Sequence, residues 1–276
     1  MSAIEQHGDH AEVFVTERPG HARELTKAAV RRGARLVFAW GGDGTINEVA
    51  SALAFDDVPL GIIPSGSGNG LATELGIDAR PEIAIAMGLQ SAPRRIDLGE
   101  MGGRLFVNVA GVGIDAYVAD KFNEHGNVRR GLLTYARISG RALFTYQQRR
   151  YRIVADGDAI ETSAVLLTIA NGSQYGNNAR VAPHATLDDG WLDLVVVEES
   201  SRLRTLAHVP RLFDGTIDRV AGCTIRRMKS GAIESDEPMT FHVDGEPMRG
   251  GTSLKVRIHP GALWIAAPPQ NGGRKL

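Results

Sequence analysis

Two strand, glycine turn, helix units in tandem set the frame for this chain. The first runs from the apolar stretch Leu36-Val37-Phe38-Ala39 through Trp40-Gly41-Gly42-Asp43-Gly44-Thr45-Ile46-Asn47 into a helix-like stretch from Glu48 to Ala54. The second begins at Leu60-Gly61-Ile62-Ile63. It turns through Pro64-Ser65-Gly66-Ser67-Gly68-Asn69-Gly70 and continues as Leu71-Ala72-Thr73-Glu74-Leu75. Units repeated this way place both turns at one edge of a parallel sheet, where such sheets bind ligands. Glycines let backbone N–H groups approach phosphate oxygens, and a helix N-terminus favours negative charge. The acid inside the first turn, Asp43, can hold a metal ion or steer a proton.

The rest of the first third fits the same architecture. Glu12 to Thr16 alternates and is rich in β-formers, which predicts a strand ended by Pro19-Gly20. His21 to Arg32 carries Ala22, Leu25, Ala28 and Ala29 on one face and stops at Gly33, an amphipathic helix. Pro81 to Leu89 reads as another. Residues 1–95 therefore form an α/β domain with a mostly parallel sheet. Beyond Ala92-Pro93-Arg94-Arg95 the pattern changes to short strands. They are predicted at Ile96-Asp97-Leu98, Arg104 to Val112, Tyr151 to Ala155, Ala164 to Ala170, Trp191 to Val197, Thr240 to Val243, Ser253 to Ile258 and Leu263 to Ala266. Gly102-Gly103, Asp156-Gly157-Asp158, Asp188-Asp189-Gly190 and Asp244-Gly245 separate them. Residues 96–276 read as an antiparallel β-sandwich-like domain, with helical insertions at 127–147 and 203–214 and a last stretch that can return to the first domain.

Composition excludes several classes. A net charge of −1 gives no global reason to expect nucleic acid. Cys223 is the single cysteine, which rules out an internal disulfide framework and points to a reducing compartment. No run of about 18 apolar residues exists to span a membrane, and the first residues show no signal pattern. A cytoplasmic protein is expected. The segment from His125 to Ala155 has seven arginines and no acid, interleaved with apolar residues. It reads as a helix with a solvated basic face, or as a surface that docks on anionic lipid headgroups at the inner face of the membrane.

Gly41-Gly42-Asp43-Gly44-Thr45-Ile46-Asn47-Glu48 resembles the nucleotide loop of the diacylglycerol kinase catalytic-domain family, which includes bacterial lipid kinases and sphingosine kinases. Pro64 to Ala72 resembles that family's second glycine loop, and Thr16 to Ala22 its upstream threonine motif. Asn108-Val109-Ala110-Gly111-Val112-Gly113-Ile114-Asp115 is similar to its first β-domain motif. Asn171-Gly172 and Pro183 to Leu194 resemble the middle of that domain, and Val243-Asp244-Gly245-Glu246-Pro247 its late acidic turn.

The resemblance implies two lobes with ATP and Mg²⁺ between them, and transfer of the γ-phosphoryl group to a lipid hydroxyl, as in making phosphatidic acid from diacylglycerol. It implies that Thr16, Gly42, Gly44, Thr45, Asn47, Glu48 and Ser67 line the nucleotide, with Asp43 on Mg²⁺. Glu246 or Asp244 would take the lipid proton, Glu246 being favoured. Asp189 with backbone oxygens of Thr186 and Trp191 would match a structural Mg²⁺ site. Asp97 is a supporting carboxylate or a turn cap. The implied partners are a lipid substrate and a membrane surface, with a homodimer left open.

Family members begin with a further strand and an Asn-Pro-x-Ser-Gly loop, and the first strand here corresponds to their second. Either roughly 30 residues precede this start, or the nucleotide pocket is reduced and a sheet edge is exposed. Two rival readings follow. An NAD kinase-like enzyme shares a Gly-Gly-Asp-Gly turn, but Asn47-Glu48 and Gly66-Ser67-Gly68-Asn69 argue against it. A non-catalytic lipid-binding or regulatory protein would follow from the missing loop.

Overall fold

A computed structural model describes residues 10–124, 149–198 and 201–269. The chain divides into two compact units, one of residues 1–96 with 261–276 and one of residues 97–260. The helix expected over 127–147 lies outside the described residues.

The first unit is α/β. Helix α1 (His21–Arg31) is followed by β1 (Val37–Gly41), α2 (Asp43–Leu53), β2 (Leu60–Pro64), α3 (Gly70–Glu74) and α4 (Pro81–Gln90). Strands β1 and β2 pair in parallel, Val37 opposite Leu60 and Gly41 opposite Pro64. The whole of β2 is buried, as a strand covered on both faces requires. The chain returns at its far end, where Ile265 pairs in parallel with Leu60 and Ala266 donates its N–H to the Leu60 carbonyl. Ile46, Val49, Ala50 and Leu53 give α2 its buried face.

Two expectations for this unit need correction. Helix α2 begins at Asp43, five residues before the expected Glu48, because Gly42 already adopts the extended N-cap conformation and Ile46 closes the first helical turn onto its carbonyl. The strand expected at Glu12 to Thr16 does not form. Residues 11–17 have no regular structure, and Val13 and Val15 are 72% and 79% exposed. Alternation alone does not make a strand without a neighbouring backbone to complete the ladder. Side chains hold this segment instead. Arg32 lies over the Phe14 ring at 5.1 Å and reaches the Glu12 carboxylate at 3.1 Å.

The second unit is an antiparallel β-sandwich-like assembly with helices at its margins. Its strands are β3 (Arg94–Met101), β4 (Arg104–Phe106), β5 (Val109–Gly113), β6 (Arg149–Ala155), β7 (Asp158–Ala170), β8 (Leu192–Glu198), β9 (Cys223–Met228), β10 (Ser230–Glu234), β11 (Thr240–Val243), β12 (Glu246–Arg249) and β13 (Ser253–Ile265). Helix α5 spans Ile114–Glu124 and α6 Arg202–Phe213. Within the unit the strand order is β13-β10-β6-β7-β5-β11-β12, with β8 on β7, β9 on β8, and β3 on β13. Asp156 and Gly157, both at positive φ, close the β6–β7 hairpin in two residues. The core gathers Phe106, Val112, Ile153, Leu167, Phe241 and Leu254. Each such side chain contributes about 1.5–3 kcal/mol when fully buried.

The expected strands appear, several of them longer. The strand read over Arg104 to Val112 is broken at Val107 and Asn108, and the two last strands are one, β13. Among the described residues no helix is long and apolar enough to cross a membrane.

One ionic cluster ties β3 to β13. Glu100 accepts from His259 at 2.8 Å and from Arg257 at 2.7 and 2.9 Å. Burial works against the charged carboxylate, but the His259 and Arg257 bonds outweigh it and hold Glu100 below its usual 4.5. A depressed carboxyl contributes stability that is complete above 4.5 and lost as pH falls through the folded-state value. Glu100→Gln should therefore melt below wild type at pH 7, and the gap should close as pH drops under 4.5 in parallel thermal melts. A gap that stays constant to pH 3 would remove Glu100 from the acid response.

Candidate functional site

The parallel register of β1 and β2 sets the two glycine turns side by side in the first unit. Ser65 donates its N–H to the Gly41 carbonyl at 3.0 Å. A Cβ on Gly66 would lie 2.6 Å from the Gly42 Cα, so the two backbones touch where only glycine fits. Asp43 locks this contact. Its carboxylate accepts from the Asn69 N–H at 2.9 Å and the Gly70 N–H at 2.8 Å. It therefore caps α3, in the second turn. Asn69, at φ +50, closes its own loop by pairing its amide with both the N–H and the carbonyl of Gly66, each at 2.8 Å.

The two helix N-termini thus differ. The first amides of α3 are occupied by Asp43. Helix α2 has Gly42 at its N-cap, which brings no side chain, and the N–H groups of Asp43, Gly44 and Thr45 open its 11-residue dipole. That N-terminus is where an anion gains most.

The other expected nucleotide residues divide. Glu48 accepts from the Gly20 N–H at 2.6 Å and the Ala22 N–H at 3.1 Å, so its carboxylate caps α1. It fixes the Pro19-Gly20 turn against α2 and is a structural clamp. Asn47 receives the Ser51 hydroxyl at 3.4 Å. Thr16 and Ser67 are both exposed.

In the second unit, Asp244 and Gly245 form the two-residue turn between β11 and β12, at φ +47 and +83. The Asp244 carboxylate accepts three backbone N–H groups, from Val107 at 2.8 Å, Asn108 at 2.9 Å and Val109 at 3.0 Å. The break between β4 and β5 is what turns these amides toward it. Glu246, two residues on, is exposed. The turn thus separates the two acids: Asp244 anchors the hairpin, and Glu246 presents a carboxylate to solvent. Asp97, 3% exposed, accepts the Gly190 N–H at 2.7 Å, which makes it a cap for the 188–190 turn.

The set expected to hold a structural Mg²⁺ does not fit a metal. Asp189 Oδ1 accepts the Trp191 N–H at 3.0 Å, and its Oδ2 accepts the Thr186 hydroxyl at 3.1 Å and pairs with the Arg227 guanidinium. Arg227 and the Lys229 ammonium also lie over the Trp191 ring, at 5.0 and 4.4 Å. A guanidinium stands where the resemblance implied a cation, and two positive charges would oppose another. Added Mg²⁺ should leave the melting temperature of the wild-type chain unchanged and raise that of Arg227→Ala. A wild-type melt that rises with Mg²⁺ and falls with chelator would restore the metal at Asp189.

Asp43 is a different case. Mg²⁺ keeps several waters and binds through one or two carboxylates plus substrate phosphates. Asp43 beside the α2 N-terminus suits a metal that arrives on a polyphosphate. Among the described residues no cluster of three His, Cys, Asp or Glu could cage an ion unaided.

Sequence reading missed a buried polar group in the second unit. Asp115, Thr168, Tyr175 and His242 meet on one carboxylate oxygen. His242 lies within the strand expected over Thr240 to Val243. The available signal was Asp115 at the end of a glycine-rich strand, with Gly111 four residues before it.

Comparison with known proteins assigns both units. The diacylglycerol kinase catalytic domain matches residues 1–101, and the YegS C-terminal NAD kinase beta sandwich-like domain matches residues 108–267. A protein of Chromohalobacter salexigens named "Probable lipid kinase YegS-like" is 30% identical over 97% of this chain and 87% of its own. One of the same name from Pseudomonas aeruginosa is 31% identical over 97% and 88%. A crystal structure titled as a diacylglycerol kinase from Bacillus anthracis superposes with a TM-score of 0.71 at 21% identity, over 94% of this chain and 85% of that one. A second structure from that organism gives 0.76 at 23% identity, over 92% and 83%.

Proposed function

The chain belongs to the diacylglycerol kinase catalytic-domain family of lipid kinases, and on that premise we propose that it transfers the γ-phosphoryl group of ATP to the hydroxyl of a diacylglycerol-like lipid. The observation that carries this reading is the pair of abutting glycine turns held by Asp43, with the half-buried α2 N-terminus beside them.

Phosphoryl transfer asks for positioning and charge neutralisation more than for covalent chemistry by the protein. The N–H groups of Asp43, Gly44 and Thr45 hydrogen-bond phosphate oxygens, and the α2 dipole adds to their attraction. Asp43 would hold the Mg²⁺ that the triphosphate brings, and that ion would supply charge neutralisation at the phosphates. Glu246 accepts the proton of the lipid hydroxyl as its oxygen bonds to phosphorus and the bond to the β-phosphate oxygen breaks, releasing ADP. Asp244 holds the hairpin that presents Glu246. The acceptor lies in a bilayer, so the enzyme works at a membrane surface, in this reading the cytoplasmic one.

The test is transfer of label from γ-labelled ATP with Mg²⁺ to a panel of diacylglycerol, phosphatidylglycerol, ceramide and sphingoid bases in mixed micelles. Label in the organic phase with at least one lipid supports the reading. Label moved to a dinucleotide, or no transfer by folded protein, overturns it.

A further inference from the structure

The buried group around Asp115 has a direct line to the turn that carries Glu246. Asp115 opens α5 and is 8% exposed, and its Oδ1 accepts the Ala116 N–H at 2.8 Å. Its Oδ2 meets Thr168 Oγ1 at 3.0 Å, the Tyr175 hydroxyl at 3.1 Å and His242 Nε2 at 3.1 Å. His242 is 2% exposed and Thr168 fully buried. Gly111 makes this possible, because a Cβ there would overlap Asp115 Oδ2.

The other ring nitrogen of His242 faces away from Asp115. Nδ1 lies 3.3 Å from the backbone N of Gly245, the residue between Asp244 and Glu246. An amide N–H can only donate, so Nδ1 accepts and the ring proton sits on Nε2, directed at Asp115. The imidazole is thus held on both sides, by a buried carboxylate and by the tip of the hairpin. The Asp244 N–H is taken by the Val109 carbonyl at 2.8 Å. Both amides of the two-residue turn are therefore fixed from β5 or β11, and the Gly245 amide depends on His242.

We propose that His242 is a positioning residue: oriented by Asp115, it holds the Gly245 amide and thereby sets the direction in which Glu246 leaves the turn. The proposal rests on the reading of Glu246 as the proton acceptor. A displacement of about 1 Å at a reacting group can cost on the order of 100-fold in rate, so one hydrogen bond at the turn is enough to matter.

The two arms of the ring can be separated. His242→Asn retains an acceptor near the Nδ1 position but cannot reach Asp115. His242→Gln retains a donor near Nε2 but leaves the Gly245 N–H without its acceptor. Hydrogen exchange of the Gly245 amide should quicken at least about tenfold in His242→Gln and stay close to wild type in His242→Asn, since local opening sets exchange. With diacylglycerol micelles and Mg·ATP, kcat should fall at least about tenfold in His242→Gln at unchanged KM for ATP, and recover in His242→Asn. Thermal stability should follow the opposite order, since Asn breaks the buried Asp115 bond and Gln keeps it.

If exchange and kcat simply follow the loss of stability in both variants, His242 is a packing residue and the proposal falls. Wild-type exchange at Gly245 in His242→Gln also overturns it. Glu246→Gln transferring phosphate at the wild-type rate overturns instead the reading beneath, and leaves the His242 bond to Gly245 as hairpin structure alone.

Discussion

Asp43→Ala is expected to lose phosphate transfer on the order of 1,000-fold, the scale of removing a preorganised electrostatic group, and to loosen the second glycine loop at the same time. The two effects have one cause. The carboxylate that would face Mg·ATP also accepts the Asn69 and Gly70 N–H groups. Truncation leaves both donors without their acceptor, at a cost of about 1–3 kcal/mol. Asp43→Asn separates the contributions. An amide keeps one oxygen for one of the two donors and turns its NH₂ against the other, and it carries no charge. We expect Asn to recover part of the melting temperature lost in Ala and little of the rate. Melting curves and initial rates on the same preparations check this. A variant at Asp43 with wild-type transfer would remove the acid from the mechanism.

The second large effect concerns the hairpin. Glu246→Gln should lower transfer by about 100-fold or more, the scale of a lost general base, and leave stability nearly unchanged, because Glu246 is exposed. Asp244→Ala should do the reverse in its first measurement. It leaves the Val107, Asn108 and Val109 N–H groups without their acceptor and should destabilise the second unit by about 1–3 kcal/mol. The comparison decides which acid takes the proton. If Glu246→Gln is active while Asp244→Asn is folded and inert, the assignment passes to Asp244.

What could be read from sequence was local. The glycine turns, the α/β alternation and the Asp244-Gly245 hairpin each announce themselves within ten residues, and all appear. The missed strands β9, β10 and β12 are short and carry charges such as Arg226, Arg227 and Glu234, so they lack the apolar alternation that marks a half-buried strand. Helix α5 follows directly on β5, with Gly113 immediately before its first residue, Ile114, and no connecting loop to mark the change. The strand expected at Glu12 to Thr16 failed for the opposite reason: its pattern was right and the described residues offer it no ladder partner.

The side-chain roles were hidden by distance along the chain. Glu48 sits beside the first turn in sequence, yet its partners are 26 and 28 residues upstream. Asp189 has the neighbours of a metal loop, but Arg227, from a strand that carries no motif, supplies its counter-charge. His242 and Asp115 are 127 residues apart. No spacing rule links such pairs, and only the β5–β11 register brings them together.

The most direct test of the central claim is hydrogen exchange of the wild-type chain with and without Mg²⁺ and a non-hydrolysable ATP analogue at saturation. Bound nucleotide should protect residues 42–46, at the α2 N-terminus, with a smaller change over 65–70, where Asp43 already holds the Asn69 and Gly70 amides. Exchange at 42–46 unaltered by the bound nucleotide, with protection elsewhere in the chain, would rule out the α2 N-terminus as the phosphate site.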